Sequence, residues 1–360
     1  MQANPDAPPP ISPRSRGDGF SVLRLFAAFL VFHSHFSALR GHIEPSLPWA
    51  PTNSYGAEGV LIFFAISGSL VGRSALERSP LDFLVSRILR IQPALIVCTL
   101  ILLGIGAACT SLPLTDYFSH ADTLNFLNTA VAWLGTSRSF LPGVFTNRPF
   151  PYVDGSLWTL HYEIYCYGCL LLGAVIGPRA IKWGAIAALG PFIIDIFSTN
   201  LLTQVGFISR HAYFEFTGVF AIGVLTCFLN RPQFGRALLA ASILLILSWN
   251  SETGRNLAWH IFLALGAIYL GRYARLDRFL PKGLDISYGF YIYAYPMTQL
   301  AQTWLLHASH GKKLSYFVAL FMSIALATAS WFLVERRTLA LRPRVSRWLE
   351  TRIPAILAEP

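Results

Sequence analysis

The sequence predicts an all-α, polytopic integral membrane bundle of about ten transmembrane helices with both termini cytoplasmic. Composition is the first sign: 54% of the residues are hydrophobic and only 13% charged, with a mean hydropathy of +0.51, whereas a soluble domain carries about 25% charge. The second is that apolar stretches of roughly twenty residues recur from Val22 to Val334, each long enough to cross a hydrocarbon core about 30 Å thick at about 1.5 Å per residue. The third is the alternation of basic residues between those stretches.

The expected spans are 20–39, 55–72, 86–108, 156–177, 183–198, 212–229, 236–250, 257–271, 285–306 and 314–334. With both termini inside, 21 of the 28 Lys and Arg residues fall on inner segments, and only Arg40, Arg138, Arg148, Arg210, Arg255, Lys312 and Lys313 fall outside. A polar break from Trp249 to Arg255 separates the seventh and eighth spans, and a single irregular hairpin is the alternative there. Residues 1–18 are proline-rich without an apolar run, which reads as a flexible cytoplasmic tail rather than a cleavable leader. Residues 19–337 are the membrane domain, and 338–360 form a basic juxtamembrane tail. Its Trp348, Leu349 and Ile353 among arginines suit a helix lying on an anionic inner leaflet. The longest connection, Cys109 to Gly155, is external, and its mildly apolar Leu124–Leu141 stretch reads as a re-entrant or interfacial helix.

The net charge of +10 lies in clusters between spans, so it reads as topology and not as a nucleic-acid surface. Cys98, Cys109, Cys166, Cys169 and Cys227 lie in or beside apolar stretches and read as packing residues. No histidine or second cysteine pair completes a zinc pattern, so no metal is expected.

Ionisable residues inside a bilayer are costly and ask for a reason. Arg24 and His35 are eleven residues apart on the first span, which returns to nearly the same helix face about 16 Å further along. A snorkelling anchor and an interhelix histidine are the plain alternatives. Arg87 and Arg90 share a face at the inner end of the third span, where they form either a phosphate clamp or a positive-inside anchor. Glu163 is counted one and a half to two turns into the fourth span from its outer end, a depth comparable to that of His35. It can orient and charge that histidine for general base catalysis, or pair with an arginine for packing. Glu58, Glu215, His211 and His260 read as structural. The tyrosines at 288, 291, 293 and 295 cannot all face lipid, so some line a polar interior.

In this order the pieces resemble the acyltransferase-3 family of membrane acyltransferases, over about residues 19–337. Arg24 and His35 in LRLFAAFLVFHSH match its basic residue followed by histidine, and YGAEGVLIFFAISGSL looks like its glycine, double-phenylalanine and Ser-Gly motif. Arg87 and Arg90 in SRILRIQPAL match its paired arginines. GSLWTLHYEIYCY is similar to its Trp-Ser/Thr-Leu segment with a following glutamate, and SYGFYIYAYP to its Ser-Tyr-Gly helix. Leu61, Ala294 and His161 depart from residues common in the family, and no appended hydrolase-like domain is expected.

The resemblance implies O-acylation of a bacterial surface or exported polysaccharide, or its lipid-linked precursor, in the bacterial inner membrane with acetyl-CoA as donor. The expected roles are His35 and Glu163 in catalysis, Arg24, Arg87 and Arg90 on the donor phosphates, and Tyr288, Tyr291 and Trp158 on substrate. The expected partners are a carbohydrate acceptor and the lipid bilayer. A transporter or flippase of a lipid-linked sugar and a non-catalytic assembly factor are the competing readings, and acetyl-CoA consumption separates them from the enzyme.

Overall fold

The computed structural model describes residues 19–131, 139–197, 212–274, 276–281, 283–305 and 311–352. The expected tail at 1–18, His211 and the last residues of the basic tail lie outside the described residues. Among the described residues the regular structure is helical apart from a small antiparallel hairpin, β1 (Ser46–Leu47) and β2 (Ala50–Ser54).

Helices α1 (Gly19–Ala38), α2 (Tyr55–Glu77) and α3 (Pro80–Cys109) coincide with the first three expected spans. Two short helices, α4 (Leu114–Ser119) and α5 (Ala121–Phe126), follow. Then come α6 (Leu160–Ile176), α7 (Pro178–Phe197), α8 (Ala212–Leu225), α9 (Arg231–Leu247), α10 (Glu252–Tyr273), α11 (Ser287–Trp304) and α12 (Gly311–Ser330). A π-helical turn, Trp331–Glu335, continues into α13 (Arg336–Ala340) and α14 (Arg342–Glu350). Six helical stretches are long and apolar enough to cross a membrane: those holding α1, α2, α3, α6 and α7, and the run that begins at Gly311. The other four expected spans fall on α8 to α11. The break near Trp249 separates two distinct helices, because Ser251 caps α10 by accepting from the Gly254 N–H at 3.2 Å.

Glycines on α2 let it serve as the central strut. A Cβ on Gly59 would lie 2.5 Å from the Ala27 carbonyl oxygen of α1, and one on Gly68 would lie 2.1 Å from the Phe220 oxygen of α8. Such contacts are possible only without a side chain, and they let backbones approach as lipid-embedded helices prefer. Ser79 caps α3 with Pro80 behind it, so the chain reverses sharply between α2 and α3.

We call the end of the bundle where α1 begins proximal and the other end distal. Helix α11 runs parallel to α1. Asp285, just before α11, bonds Arg24 at 2.8 Å; further on, Tyr295 meets His35 ring to ring at 5.1 Å, and Gln302 donates to the Phe36 carbonyl at 3.0 Å. The chain before α6 descends along this helix as an irregular segment. Arg148 bonds the Gln302 side chain, Gln299 donates to the Phe150 and Tyr152 carbonyls at 2.6 and 3.0 Å, and the Tyr291 hydroxyl donates to the Ser156 carbonyl at 3.0 Å. From Gln299 to Tyr291 the descent is about 12 Å. Non-helical backbone at this depth is tolerated because protein side chains satisfy it. A re-entrant or interfacial helix is expected at Leu124–Leu141; the irregular descent lies later, at residues 148–159. The earlier stretch forms part of α5 and a 3₁₀ turn, Leu127–Ala130, and its residues 132–138 lie outside the described residues.

The close approach at Gly68 generates a prediction. Gly68→Val should cost about 1–3 kcal/mol through overpacking and lower the thermal unfolding midpoint in detergent. Gly235→Ala, where a Cβ would meet nothing within 4 Å, should leave it at or above the wild-type value. Equal midpoints for wild type and G68V would contradict the packing described.

Candidate active site

A cavity of about 580 Å³ opens among α1, α2, α3, α6 and α11 toward the proximal end. Arg24, Arg78, Arg87, Arg90 and Arg342 line it together with Glu163 and Asp285; Ser67, Thr159, Tyr167, Tyr288 and Tyr291 supply hydroxyls, and Phe63, Phe64, Val60 and Leu160 supply apolar wall. The proximal mouth is cationic and the interior is aromatic and hydroxylated.

Asp285 organises the arginines. Its Oδ2 accepts from Arg24 Nη2 at 2.8 Å and from Arg90 Nη2 at 2.7 Å, while its Oδ1 accepts from the Ser287 hydroxyl at 2.6 Å. Arg90 Nη1 also lies 3.8 Å from Oε2 of Glu335, a side chain only 1% exposed that the π-helical turn carries toward α11. Two guanidiniums are thereby matched by two carboxylates, as partly buried charge requires. Arg87 belongs to a different environment. Its Nε donates to the Ser86 hydroxyl at 3.2 Å, its guanidinium carbon stands 5.7 Å from the Tyr167 ring centre, and among the described residues no carboxylate lies within ion-pair distance of it.

Glu163 accepts from the Ser67 hydroxyl at 3.1 Å and from the Tyr167 hydroxyl. It therefore sits lower than the sequence reading placed it. His35 is adjacent to Ser34, against which Gly56 of α2 packs with its Cβ position 3.0 Å from Ser34 Cβ. Ser67 is eleven residues further along α2, about 16 Å deeper. The descending segment is the cause, since it carries the chain into the bundle before α6 starts. Glu163 and His35 are therefore not brought together.

His35 lies beyond the cavity, at the distal side of Tyr295. Its Nδ1 is buried with no hydrogen-bond partner. Behind it, the Ser34 hydroxyl donates to Glu44 at 2.6 Å. Asp154 Oδ1 accepts from the Ser156 N–H and hydroxyl at 2.6 and 2.7 Å and so fixes the turn next to Tyr295, while its Oδ2 has no partner. Tyr288 and Tyr291 both line the cavity. Tyr288 donates to the Ile91 carbonyl at 3.1 Å, and the hydroxyls of Tyr291 and Thr159 are 2.6 Å apart. Trp158 does not line it; its ring meets Tyr162 edge-on at 5.7 Å and Phe216 at a tilt at 5.8 Å, and it is 37% exposed. Glu215 pairs with His260 at 2.8 Å on α8 and α10, away from the cavity. Reading the sequence missed Asp285 and Glu335. Asp285 is the only acid between Asp277 and Glu335, immediately before the Ser-Tyr-Gly segment, and that isolation was the available signal.

A family model described as an acyltransferase domain, Acyl_transf_3, matches residues 18–336. The chain is 26% identical to a protein of Shigella phage Sf6 named O-acetyl transferase, over 89% of this chain and 95% of the relative. It is 29% identical to nodulation protein 10 of Rhizobium leguminosarum bv. viciae, over 90% and 94%. It is 26% identical to a protein of Komagataeibacter xylinus named as the membrane-bound transacylase BcsY, over 99% and 94%. No solved structure matches the chain.

Removing the shared carboxylate should strand two guanidiniums. Asp285→Asn is expected to cost about 3–5 kcal/mol, as breaking a buried pair does, and to lower the unfolding midpoint far more than Glu163→Gln, which leaves the Asp285 bonds intact. Equal midpoints for the two variants would contradict the charge matching.

Proposed function

Because the chain belongs to the acyltransferase-3 family and is a membrane O-acyltransferase, we propose that it moves an acetyl group from acetyl-CoA to a hydroxyl of a surface or exported bacterial polysaccharide, or of its lipid-linked precursor. In this reading all ten long helices cross the cytoplasmic membrane, the termini and the cationic mouth face the cytoplasm, and the distal end faces outward. The bias of 21 of 28 basic residues to one side supports that orientation. The printed name of the phage relative supports acetyl as the group moved.

The observation that carries the proposal is the cavity itself, a cationic mouth leading to an interior of hydroxyls and rings. A nucleotide carrying a long, thin amide chain has this shape and polarity. Its phosphates would stay at the arginines, and the pantetheine arm would run inward past Glu163, whose free acceptor capacity suits the amide N–H groups of that arm. Tyr288 and Tyr291 supply the walls.

His35 is the proposed base. A buried imidazole nitrogen without a partner is free to accept a proton. The sugar hydroxyl loses its proton to His35 as its oxygen bonds to the thioester carbonyl carbon; the carbon–sulfur bond then breaks, and the leaving thiolate takes a proton from the imidazolium. Proximity of a thioester already activated for attack supplies the remaining drive. The Tyr295 ring, edge-on to His35, sits where the donor arm and the acceptor have to meet.

His35→Ala is expected to reduce acetyl ester formation by at least about a hundredfold, the lower range of acid–base contributions, while coenzyme A binding by the purified protein stays at the wild-type level. Ester formation at the wild-type rate in H35A, followed by mass spectrometry of the acceptor, would refute the assignment.

A further inference from the structure

The helix that follows the family domain reaches back into the cavity. The matched domain ends at residue 336, yet Arg342 and Pro343 of α14 line the cavity mouth. Polar contacts at the start of α3 hold α14 there, chief among them the carboxylate of Asp82. Asp82 Oδ1 accepts from the Ser346 hydroxyl at 2.8 Å and lies 3.3 Å from Arg342 Nε, and the Ser79 hydroxyl donates to Glu350 at 3.3 Å. Arg78, in the link between α2 and α3, places Nη1 at 3.9 Å from Asp82 Oδ2. Three guanidiniums, Arg78, Arg87 and Arg342, thus border one side of the mouth with Asp82 as the carboxylate among them. This is unlike the matched set around Asp285. Neighbouring Glu77 is bound to Arg73 at 2.6 Å. Burial, together with the Arg342 and Arg87 charges, pulls the Arg78 guanidinium below its ordinary value, as expected where cations crowd each other.

We propose that Arg78, Arg87 and Arg342 form a phosphate-ester site completed by the helix beyond the family domain, and that this trio, rather than the Asp285-bound Arg24 and Arg90, carries the excess positive charge that holds the donor nucleotide. This rests on the reading that the proximal mouth receives a coenzyme A thioester. The physical case is charge balance. The charges of Arg24 and Arg90 are already compensated by Asp285 and Glu335, so a phosphate gains less net attraction from them, whereas the trio has cationic capacity left over and remains partly open to the mouth. Side-chain exposure is 32% for Arg78 and 33% for Arg342. Guanidiniums in such a group bind phosphate oxygens in bidentate fashion. The same chemistry would also accept the phosphate of an anionic lipid headgroup.

The test measures binding to the purified full chain by calorimetry, using coenzyme A, pantetheine, inorganic pyrophosphate, and nanodiscs with and without phosphatidylglycerol. Arg342→Gln and Arg78→Gln should each weaken coenzyme A binding about tenfold and leave pantetheine binding unchanged. Asp82→Asn keeps an oxygen that accepts from the Ser346 hydroxyl, and so keeps α14 docked, but removes the competing charge; it should tighten coenzyme A binding, an outcome that a merely structural role for Asp82 would not give. If wild type binds pyrophosphate but not coenzyme A, and the arginine variants lose that binding, the phosphate site stands and the donor reading fails. A loss confined to phosphatidylglycerol discs would identify the lipid as the source of the phosphate. Arginine variants that bind coenzyme A, pyrophosphate and anionic discs as wild type does would overturn the proposal, as would weaker coenzyme A binding in D82N.

Discussion

One carboxylate, Asp285, ties together the helices on which the site is built. It accepts from Arg24 of α1 and Arg90 of α3 while leading directly into α11, so three helices meet at a single oxygen. In a medium where an isolated charge is costly, this bond sets the spacing of those helices at the proximal end and decides which arginines remain available to a ligand. Glu335 extends the same balance from the π-helical turn. Arg78, Arg87 and Arg342 line the same cavity without a share in that balance.

The second constraint is the irregular segment from Arg148 to Thr159. It satisfies its backbone on the Gln299 and Tyr291 side chains of α11, and its Arg148 side chain bonds Gln302, which is why it can run at membrane depth without forming a helix. It reaches the cavity at Thr159, brings Gly155 against Tyr295, and delays the start of α6 so that Glu163 falls about 16 Å below His35. The two residues most easily imagined as a catalytic pair are therefore distributed along the route. One lines the cavity, and the other lies beyond it toward the distal end.

Much of this was legible in the residues. The apolar periodicity located each long helix, and the eleven-residue interval from Arg24 to His35 correctly set an arginine and a histidine at opposite ends of one helix. Arg87 and Arg90 were seen as neighbours, yet their three-residue spacing could not show that Arg90 faces Asp285 while Arg87 faces Tyr167. That split depends on which helix stands opposite. Glu163 was misplaced because counting turns assumes a helix that starts at the membrane surface, and the descending segment breaks that assumption. Trp158 shares a motif with Glu163 but packs on Phe216, since it stands in the 3₁₀ turn Leu157–Thr159 that precedes α6 and not on the helix that carries Glu163. Helix α14 read as a surface amphipath because its arginines and Trp348 dominate its composition. The polar contact that docks it, Ser346 on Asp82, spans 264 residues and leaves no local trace.

The claim that Asp285 matches the charge of Arg90 is tested most directly by a double-mutant cycle, with unfolding free energies measured in denaturant for wild type, Arg90→Gln, Asp285→Asn and the double variant. Charge matching predicts a favourable coupling of about 1–3 kcal/mol, as for residues in direct polar contact, with the double variant losing much less than the two single losses combined. Strictly additive losses would mean that the two side chains do not sense each other, and the arrangement of the mouth described above would not stand.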